Sequence, residues 1–390
     1  MIALLLTLAA LVPLGWAAYL AVLAALSARV PVPARAAGTP RFDVIVPAHD
    51  EAAGIARTVH SLLALDWPAD AFRVLVVADN CTDTTAEVAR AAGATVLERV
   101  QPDLRGKGHA LALAFEQSRK DGRADAVVVI DADTLADRGL LRAFAARLGR
   151  GEQAVQAGYG VQNPEASWRT RLMRIALALF HVLRSRARER LGVSCGLRGN
   201  GMCFTHALLA RVPYDAFSVV EDLEFGLRLG EAGVRVAAAD EVEVLGEMVS
   251  REANSRSQRR RWEQGRRAFA RARGLPLLVR GLKQRSGLLV DLALDLLVPP
   301  LATVAAVVAV GLAASGAAAA LGAGRAPLVP WTLAAAGVAA YVFRGWLISA
   351  TGLAGLRDLL WAPVYVAWKL TLALRPGGRS AGWVRTAREP

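Results

Sequence analysis

Asp131-Ala132-Asp133 closes the segment Ala124–Thr134 (ADAVVVIDADT), in which Val127, Val128, Val129 and Ile130 stand together. Four consecutive β-branched residues suit a strand buried on both faces of a parallel sheet. Two carboxylates one residue apart at the C-terminal end of such a strand lie where open α/β sheets bind ligands. A cation between them relieves their repulsion, and oxygen donors select a hard divalent ion. Taken alone, the tripeptide also reads as a solvated turn.

Further polar clusters follow other apolar runs. His49-Asp50-Glu51 ends a first strand and Ala78-Asp79-Asn80 a second. In a parallel sheet these ends converge on one crevice, and isolated buried charges are too costly to gather there without a ligand. Arg105-Gly106-Lys107-Gly108 opens a helix, and glycines, a helix N-terminus and a lysine make a phosphate seat. Glu221-Asp222 precedes the helix Leu223–Ala232, a position that the helix dipole alone also favours for carboxylates. Gln258, Arg261 and Trp262, at Q-x-x-R-W spacing, share one side of a helix. They offer hydrogen bonds, charge and a stacking face to a sugar or diphosphate. No Ser/His/Asp set suggests a covalent nucleophile. Of the five histidines, all but His49 (His60, His109, His181, His206) read as structural or surface residues.

The elements that must position these groups alternate strand, turn and helix. Strands are expected at Phe42–Pro47, Phe72–Ala78, Ala94–Leu97 and up to Asp131, with helices at Ala52–Leu65, Thr84–Ala92 and Lys107–Arg119. This is a Rossmann-like α/β half. It lacks G-x-G-x-x-G at the first turn and has no G-x-x-x-x-G-K-[ST], so dinucleotide and P-loop readings are poor. From Gln153 to Met248 the pattern becomes mixed α+β, with an amphipathic helix over Ser167–Arg190.

The hydrophobic fraction of 54% points to a membrane protein with a sizeable soluble part, and a formal net charge of +13 suits an anionic lipid surface, a phosphorylated substrate or nucleic acid. Ile2–Leu26 is apolar, long enough to span a bilayer and without a basic n-region, hence a retained anchor. Arg29, Arg35 and Arg41 then place the downstream chain in the cytosol of a multi-pass cytoplasmic-membrane protein, with its N-terminus outside. Leu288–Ala314, carrying Asp291 and Asp295, and Ala326–Phe343 read as two more spans, and Gly345–Leu374 as an interfacial or re-entrant segment. The carboxylates Asp291 and Asp295 are either functional or simply placed at the interface. Arg251–Arg273 holds nine arginines against two glutamates, the pattern of a basic helix on a membrane surface. Three cysteines with no C-x-x-C spacing support neither a disulfide framework nor a zinc site, and fit a reducing compartment.

The ordered set Asp79, Asp131-x-Asp133, Glu221-Asp222 and Gln258-x-x-Arg261-Trp262 resembles the D, DxD, ED, QxxRW pattern of family 2 membrane glycosyltransferases. That group includes cellulose, hyaluronan and chitin-oligosaccharide synthases. The runs VIVPAHDE, RGKGHAL, GNGMCF and VEDLEFGLRL look most like its bacterial exopolysaccharide-type members. The resemblance implies a GT-A fold, that of the nucleotide-diphospho-sugar transferases, with flanking transmembrane helices. It also implies a metal-dependent, inverting glycosyltransferase using Mg2+ or Mn2+. By the same resemblance, Pro47, Glu51 and Asp79 would contact the nucleoside of a nucleotide-diphosphate sugar, expected to be a UDP-sugar, and Lys107 its diphosphate. Asp131 would touch the ribose or sugar, with a share in the metal open to it, and Asp133 would hold the metal. Asp222, beside Glu221, would be the general base. Gly199-Asn200-Gly201 would border the acceptor. Gln258, Arg261 and Trp262 would hold the diphosphate and the acceptor's terminal sugar. Trp383, Thr386 and Arg388 would form a gating or tail element. Asp50 and Asn80 depart from the residues many relatives carry, which bears on nucleotide preference.

The expected organisation is an anchor over 1–28, a catalytic domain over 40–250 and basic interfacial helices over 251–287. A C-terminal membrane region (288–374) and a cytosolic tail (375–390) complete it. Expected partners are the sugar donor, a saccharide or lipid-linked acceptor of cell-surface glycan synthesis, the bilayer and an export protein. The rival enzyme is a glycolipid synthase adding one sugar to a membrane lipid. The non-enzyme rival is a basic, membrane-anchored binder of nucleic acid or anionic lipid. Acidic strand ends oppose the latter, so no nucleic-acid partner is expected.

Overall fold

The computed structural model describes residues 1–34, 38–246 and 264–363, in two compact units. One comprises residues 29–163 and 188–294; the other Met1–Ala28, Pro164–Ala187 and the described residues from Asp295 onward.

The first unit is built on an eight-stranded sheet in the order β3-β2-β1-β4-β7-β6-β8-β5. β1 (Phe42–Ala48) pairs in parallel with both β2 (Phe72–Asp79) and β4 (Ala126–Val129), and β2 with β3 (Thr95–Arg99). The connections are α2 (Ile55–Leu63), α3 (Thr85–Ala91) and α4 (Lys107–Asp121). Because the chain runs outward from β1 to β3 and then returns to β4 on the other side, β1 and β4 flank a topological switch point. A crevice opens there at the strands' C-terminal ends. β4 alternates between two cores. Ala126 and Val128 pack with the α2 and α5 (Leu140–Leu148) side, and Val127 and Val129 with the α4 side. That double burial is why its sequence is a continuous apolar run.

Beyond β4 the sheet turns mixed. β7 (Met202–Thr205) pairs antiparallel with β4 and with β6 (Ala154–Val161), β6 runs parallel to β8 (Ala237–Gly246), and β5 (Thr134–Ala136) is antiparallel to β8. Helices α8 (His206–Arg211) and α9 (Glu221–Glu231) complete this half. The expected elements are present with shifted ends, and β4 stops two residues short of Asp131, leaving the acidic tripeptide in a turn.

Three helices among the described residues are long and apolar enough to cross a membrane: α1 (Ile2–Ala25), Leu301–Ala320 and Leu328–Ser349. At 1.5 Å per residue, 20 residues reach about 30 Å, the thickness of the hydrocarbon core. The helix expected over Leu288–Ala314 is not continuous. It breaks into Gly287–Leu297 and Leu301–Ala320, because Pro299 and Pro300 donate no backbone N–H and push the preceding residue out of the α-region. Asp291 and Asp295 thus stand outside the crossing helix, where Asp291 pairs with Arg188 at 2.9 Å and Asp295 with Arg184 at 2.7 Å. The third span also runs past its expected end at Phe343. Arg344 is accommodated by donating to the Ser27 hydroxyl at 2.9 Å. The helix expected over Ser167–Arg190 is present as α6 (Trp168–Leu177) and α7 (Arg184–Leu191), joined by a π-helical turn, Ala178–Leu183.

Candidate active site

The crevice is built from six backbone segments: the ends of β1 and β2, the start of α4, the turn after β4, the loop over residues 199–201 and the start of α9. At the ends of β1 and β2, Asp50 and Asn80 adopt left-handed backbone conformations (φ 53° and 51°), which a short polar side chain tolerates best after glycine. Asp50 accepts from the Thr82 N–H at 2.6 Å. Asn80 accepts from the Gln101 N–H at 2.7 Å and donates to Asp79 at 2.9 Å. The two residues that depart from the family pattern are therefore loop-closing groups in this chain. Burial opposes ionisation of Asp50, but its hydrogen bonds from Thr82 outweigh that and hold the carboxyl below its ordinary range. Pro47 lies in β1, in register with Val77, and the Glu51 N–H donates to Thr85 Oγ1 at 2.7 Å.

Asp79 is buried and paired with Arg99 at 2.5 Å, its neighbour across the β2–β3 register. The same guanidinium donates to Gln101 Oε1 at 2.9 Å and the Leu104 carbonyl at 2.8 Å, ordering the approach to Lys107.

Lys107 begins α4 after Gly106, whose φ of +127° belongs to glycine. Its ammonium donates to Asp131 and, at 2.5 Å, to the Gly199 carbonyl. A Cβ on Gly199 would lie 3.5 Å from Asp222 Oδ2 and 3.8 Å from Lys107 Nζ, so Lys107, Asp131 and Asp222 face one small space. Burial alone would lower the Lys107 pKa. The charges of Asp131, Glu221 and Asp222 outweigh it and raise the value, keeping the ammonium charged. Burial raises Glu221 and Asp222 in turn, against the opposing pull of Lys107. For Asp222 the Leu223 N–H, donating at 2.8 Å, and Arg198 also oppose it.

Asn200 sits 1% exposed between the loops. Its Oδ1 accepts from the Asp131 N–H at 3.1 Å and its Nδ2 donates to Thr134 Oγ1 at 2.8 Å, gripping the acidic turn on both sides of Asp133. Gln156, buried in β6, sets this loop. Its Nε2 donates to the Asn200 carbonyl at 2.7 Å and its Oε1 accepts from the Arg198 N–H at 2.9 Å. Asp131, Asp133, Gly199 and Asn200 thus come from loops that these contacts join, and Lys107, Glu221 and Asp222 from the first turns of α4 and α9.

The carboxylates of Asp50 and Asp83 and the Cys81 thiol form a second cluster, with ligand atoms within 4.8 Å of one another. Its oxygens accept from Thr82 and Thr85 and close the loop after β2, which accounts for the cluster without a cation. Asp131 and Asp133 offer oxygen donors alone, on a turn anchored by Asn200 and Thr134. That fits a hard divalent ion whose remaining positions are filled by phosphate or water oxygens.

The profile of the family described as Glycosyltransferase like family 2 matches residues 40–265, more than half of the chain and all of this crevice. The chain belongs to glycosyltransferase family 2. It is 33% identical over 116 residues to the UDP-forming catalytic subunit of cellulose synthase 1 from Komagataeibacter xylinus, covering 30% of this chain and 15% of that protein. It is 23% identical over 204 residues to the probable glycosyltransferase YdaM of Bacillus subtilis, covering 50% and 48%. The chain therefore spans less than half of the length of either relative. Among solved structures it superposes on the mannosyltransferase PcManGT of Pyrobaculum calidifontis, a complex with GDP-Man and Mn2+. The TM-score is 0.56 at 22% identity, covering 88% of this chain and 97% of that one. The fold of this family 2 chain is the mixed α/β GT-A fold, flanked in the sequence by helices long and apolar enough to cross a membrane.

Sequence reasoning missed Arg99, Gln156 and Arg198. Gln156 had a readable signal, a lone amide inside the apolar strand AVQAGYGV. Arg99 had none, since its partner is 20 residues away and only strand register joins them. Gln258, Arg261 and Trp262, together with Trp383, Thr386 and Arg388, lie outside the described residues.

Proposed function

We propose that this chain is an inverting glycosyltransferase that moves a sugar from a nucleotide-diphosphate sugar to an acceptor hydroxyl at a membrane. The observation that carries the reading is the gathering of Lys107, Asp131 and Asp222 around Gly199, an ammonium between a donor-side carboxylate and a half-buried one. Asp222 takes the proton from the acceptor hydroxyl as its oxygen attacks the anomeric carbon from the face opposite the diphosphate. The bond to the leaving phosphate breaks as the new C–O bond forms. Its raised pKa makes Asp222 a better base than an exposed carboxylate. Lys107 remains charged beside the leaving diphosphate and offsets its negative charge. Asp133, with Asp131 beside it, would hold Mg2+ or Mn2+, which supplies further charge neutralisation there.

Pro47, Glu51 and Asp79 form the nucleoside side of the site in this reading, Asn200 positions the acidic turn, and Gln258, Arg261 and Trp262 contribute to the diphosphate and acceptor. The UDP-forming cellulose synthase relative supports uridine as the base. Arg29, Arg35 and Arg41, which follow α1, support a cytosolic site, with the N-terminus outside and the spans in the cytoplasmic membrane. A glycolipid synthase is the second reading. It is favoured by the small membrane unit, which has three crossing helices among the described residues.

The test is turnover of a panel of nucleotide sugars by membranes carrying the chain, with mass analysis of the product. Metal-dependent release of nucleoside diphosphate, lost in Asp133→Ala and Asp222→Asn, supports the mechanism. Turnover preserved in both variants refutes it.

A further inference from the structure

The loop before α9 holds an aromatic ring in solvent although the backbone on either side of it is fixed. Tyr214 packs edge-on against Phe225 (4.8 Å) and Phe115 (5.2 Å). Asp215 forms an ion pair with Arg228. The Ala216 carbonyl occupies the notch over Gly108, where a Cβ would stand 2.2 Å from its oxygen, so only glycine fits there. The Ser218 N–H donates to Glu224 Oε2 at 3.2 Å. Between these anchors Phe217 lies flat on His109, with ring centroids 4.4 Å apart and planes 9° from parallel, yet it is 48% exposed. Burial and the nearby Arg99 lower the His109 pKa against the pull of Asp79, and so favour the neutral imidazole beneath it.

A phenyl ring left free would turn inward to bury its surface. Here the loop cannot collapse, and one face of the ring is held outward while His109 covers the other. The loop leads directly into Glu221 and Asp222. An open aromatic face followed by carboxylates matches a pyranose ring, whose C–H face stacks and whose hydroxyls donate hydrogen bonds. An acyl chain would leave those carboxylates without donors, and the Asp215–Arg228 pair borders the patch with charge.

We propose that Phe217, stacked on His109, is the platform on which a saccharide ring of the acceptor lies beside Asp222. The proposal rests on the reading of Asp222 as the base, and it assigns the acceptor to saccharides.

The experiment presents the purified full-length chain, in nanodiscs with Mg2+ and UDP, to an array of defined oligosaccharides. UDP affinity is measured in parallel. Wild type should retain at least one class of glycan. Phe217→Ala should weaken retention roughly tenfold, and Phe217→Trp should restore it to within about twofold, with UDP affinity held within about twofold throughout. The tryptophan variant separates loss of the platform from loss of the fold. Glycan retention unchanged in Phe217→Ala, or no glycan retained by wild type, overturns the proposal. So does an equal loss of UDP affinity, which would put the ring on the nucleotide side. Loss of binding to phosphatidylglycerol vesicles with glycans unaffected would make it a lipid contact and also overturn it. Absence of nucleotide-sugar turnover in wild type would instead strike the function proposed above, so the two failures are distinguishable.

Discussion

Asn200→Ala tests whether one buried amide holds the acidic turn. The substitution removes the acceptor of the Asp131 N–H and the donor to Thr134 Oγ1. At about 1 kcal/mol net per hydrogen bond, with more for a buried group left unpaired, the cost is roughly 2–4 kcal/mol. For a unit of this size that lowers the Tm by about 4–16 °C. The pairing of β7 with β4 does not depend on this side chain, because the Gly201 N–H still donates to the Val129 carbonyl at 2.9 Å, so the sheet should survive. The acidic turn loses its anchor, and a displacement of about 1 Å there costs about 100-fold in turnover. Asn200→Asp keeps an acceptor for the Asp131 N–H but adds a third carboxylate beside Asp131 and Asp133. It should lose at least as much activity with a smaller fall in Tm. Thermal unfolding of the detergent-solubilised chain, and nucleoside diphosphate release assayed below the variant's Tm, are the two measurements. Less than about threefold loss of turnover in Asn200→Ala would show that the amide does not position the turn.

Asp222→Asn should lower transfer by about 100- to 10,000-fold, the range of general-base contributions, while nucleotide affinity measured by calorimetry stays near wild type. Because burial raises the Asp222 pKa, its inactive protonated form persists to higher pH. Turnover should therefore climb with pH through a midpoint above the ordinary carboxylate range, and a midpoint at about pH 4 contradicts this. Lys107 pulls that carboxyl down, so Lys107→Met should move the midpoint of the residual activity further up; a downward shift would reverse the assigned electrostatics. Arg99→Ala leaves the buried Asp79 carboxylate without its cation and should destabilise the catalytic unit by about 3–5 kcal/mol, read as denaturant midpoint. Adding Asp79→Asn should recover part of the loss.

Much of the fold was legible because burial writes itself into local patterns. The four β-branched residues before Asp131 announced a strand covered on both faces, and β4 does divide its side chains between two cores. The helix that begins at Lys107 was announced by Gly106 and Gly108, and the apolar lengths of α1 and Leu328–Ser349 by composition alone. Where expectation failed, a local signal had been outweighed by a longer one. The apolar run Leu288–Ala314 hid Pro299-Pro300, and the break places Asp291 and Asp295 against Arg188 and Arg184.

The sequence by itself determined which residue types stand at the strand ends and in what order, and with them the family. Tertiary structure decided their relations. Only strand register sets Arg99 against Asp79, only the β4–β7 pairing brings Asn200 to the Asp131 turn, and only the loop over Gly108 stacks Phe217 on His109. The physical reason is range. Periodicity and turn chemistry act over a few residues, whereas Lys107 meets Gly199 across 92 residues and Asp131 meets Asn200 across 69. Such contacts exist only once the sheet has closed the distance between them.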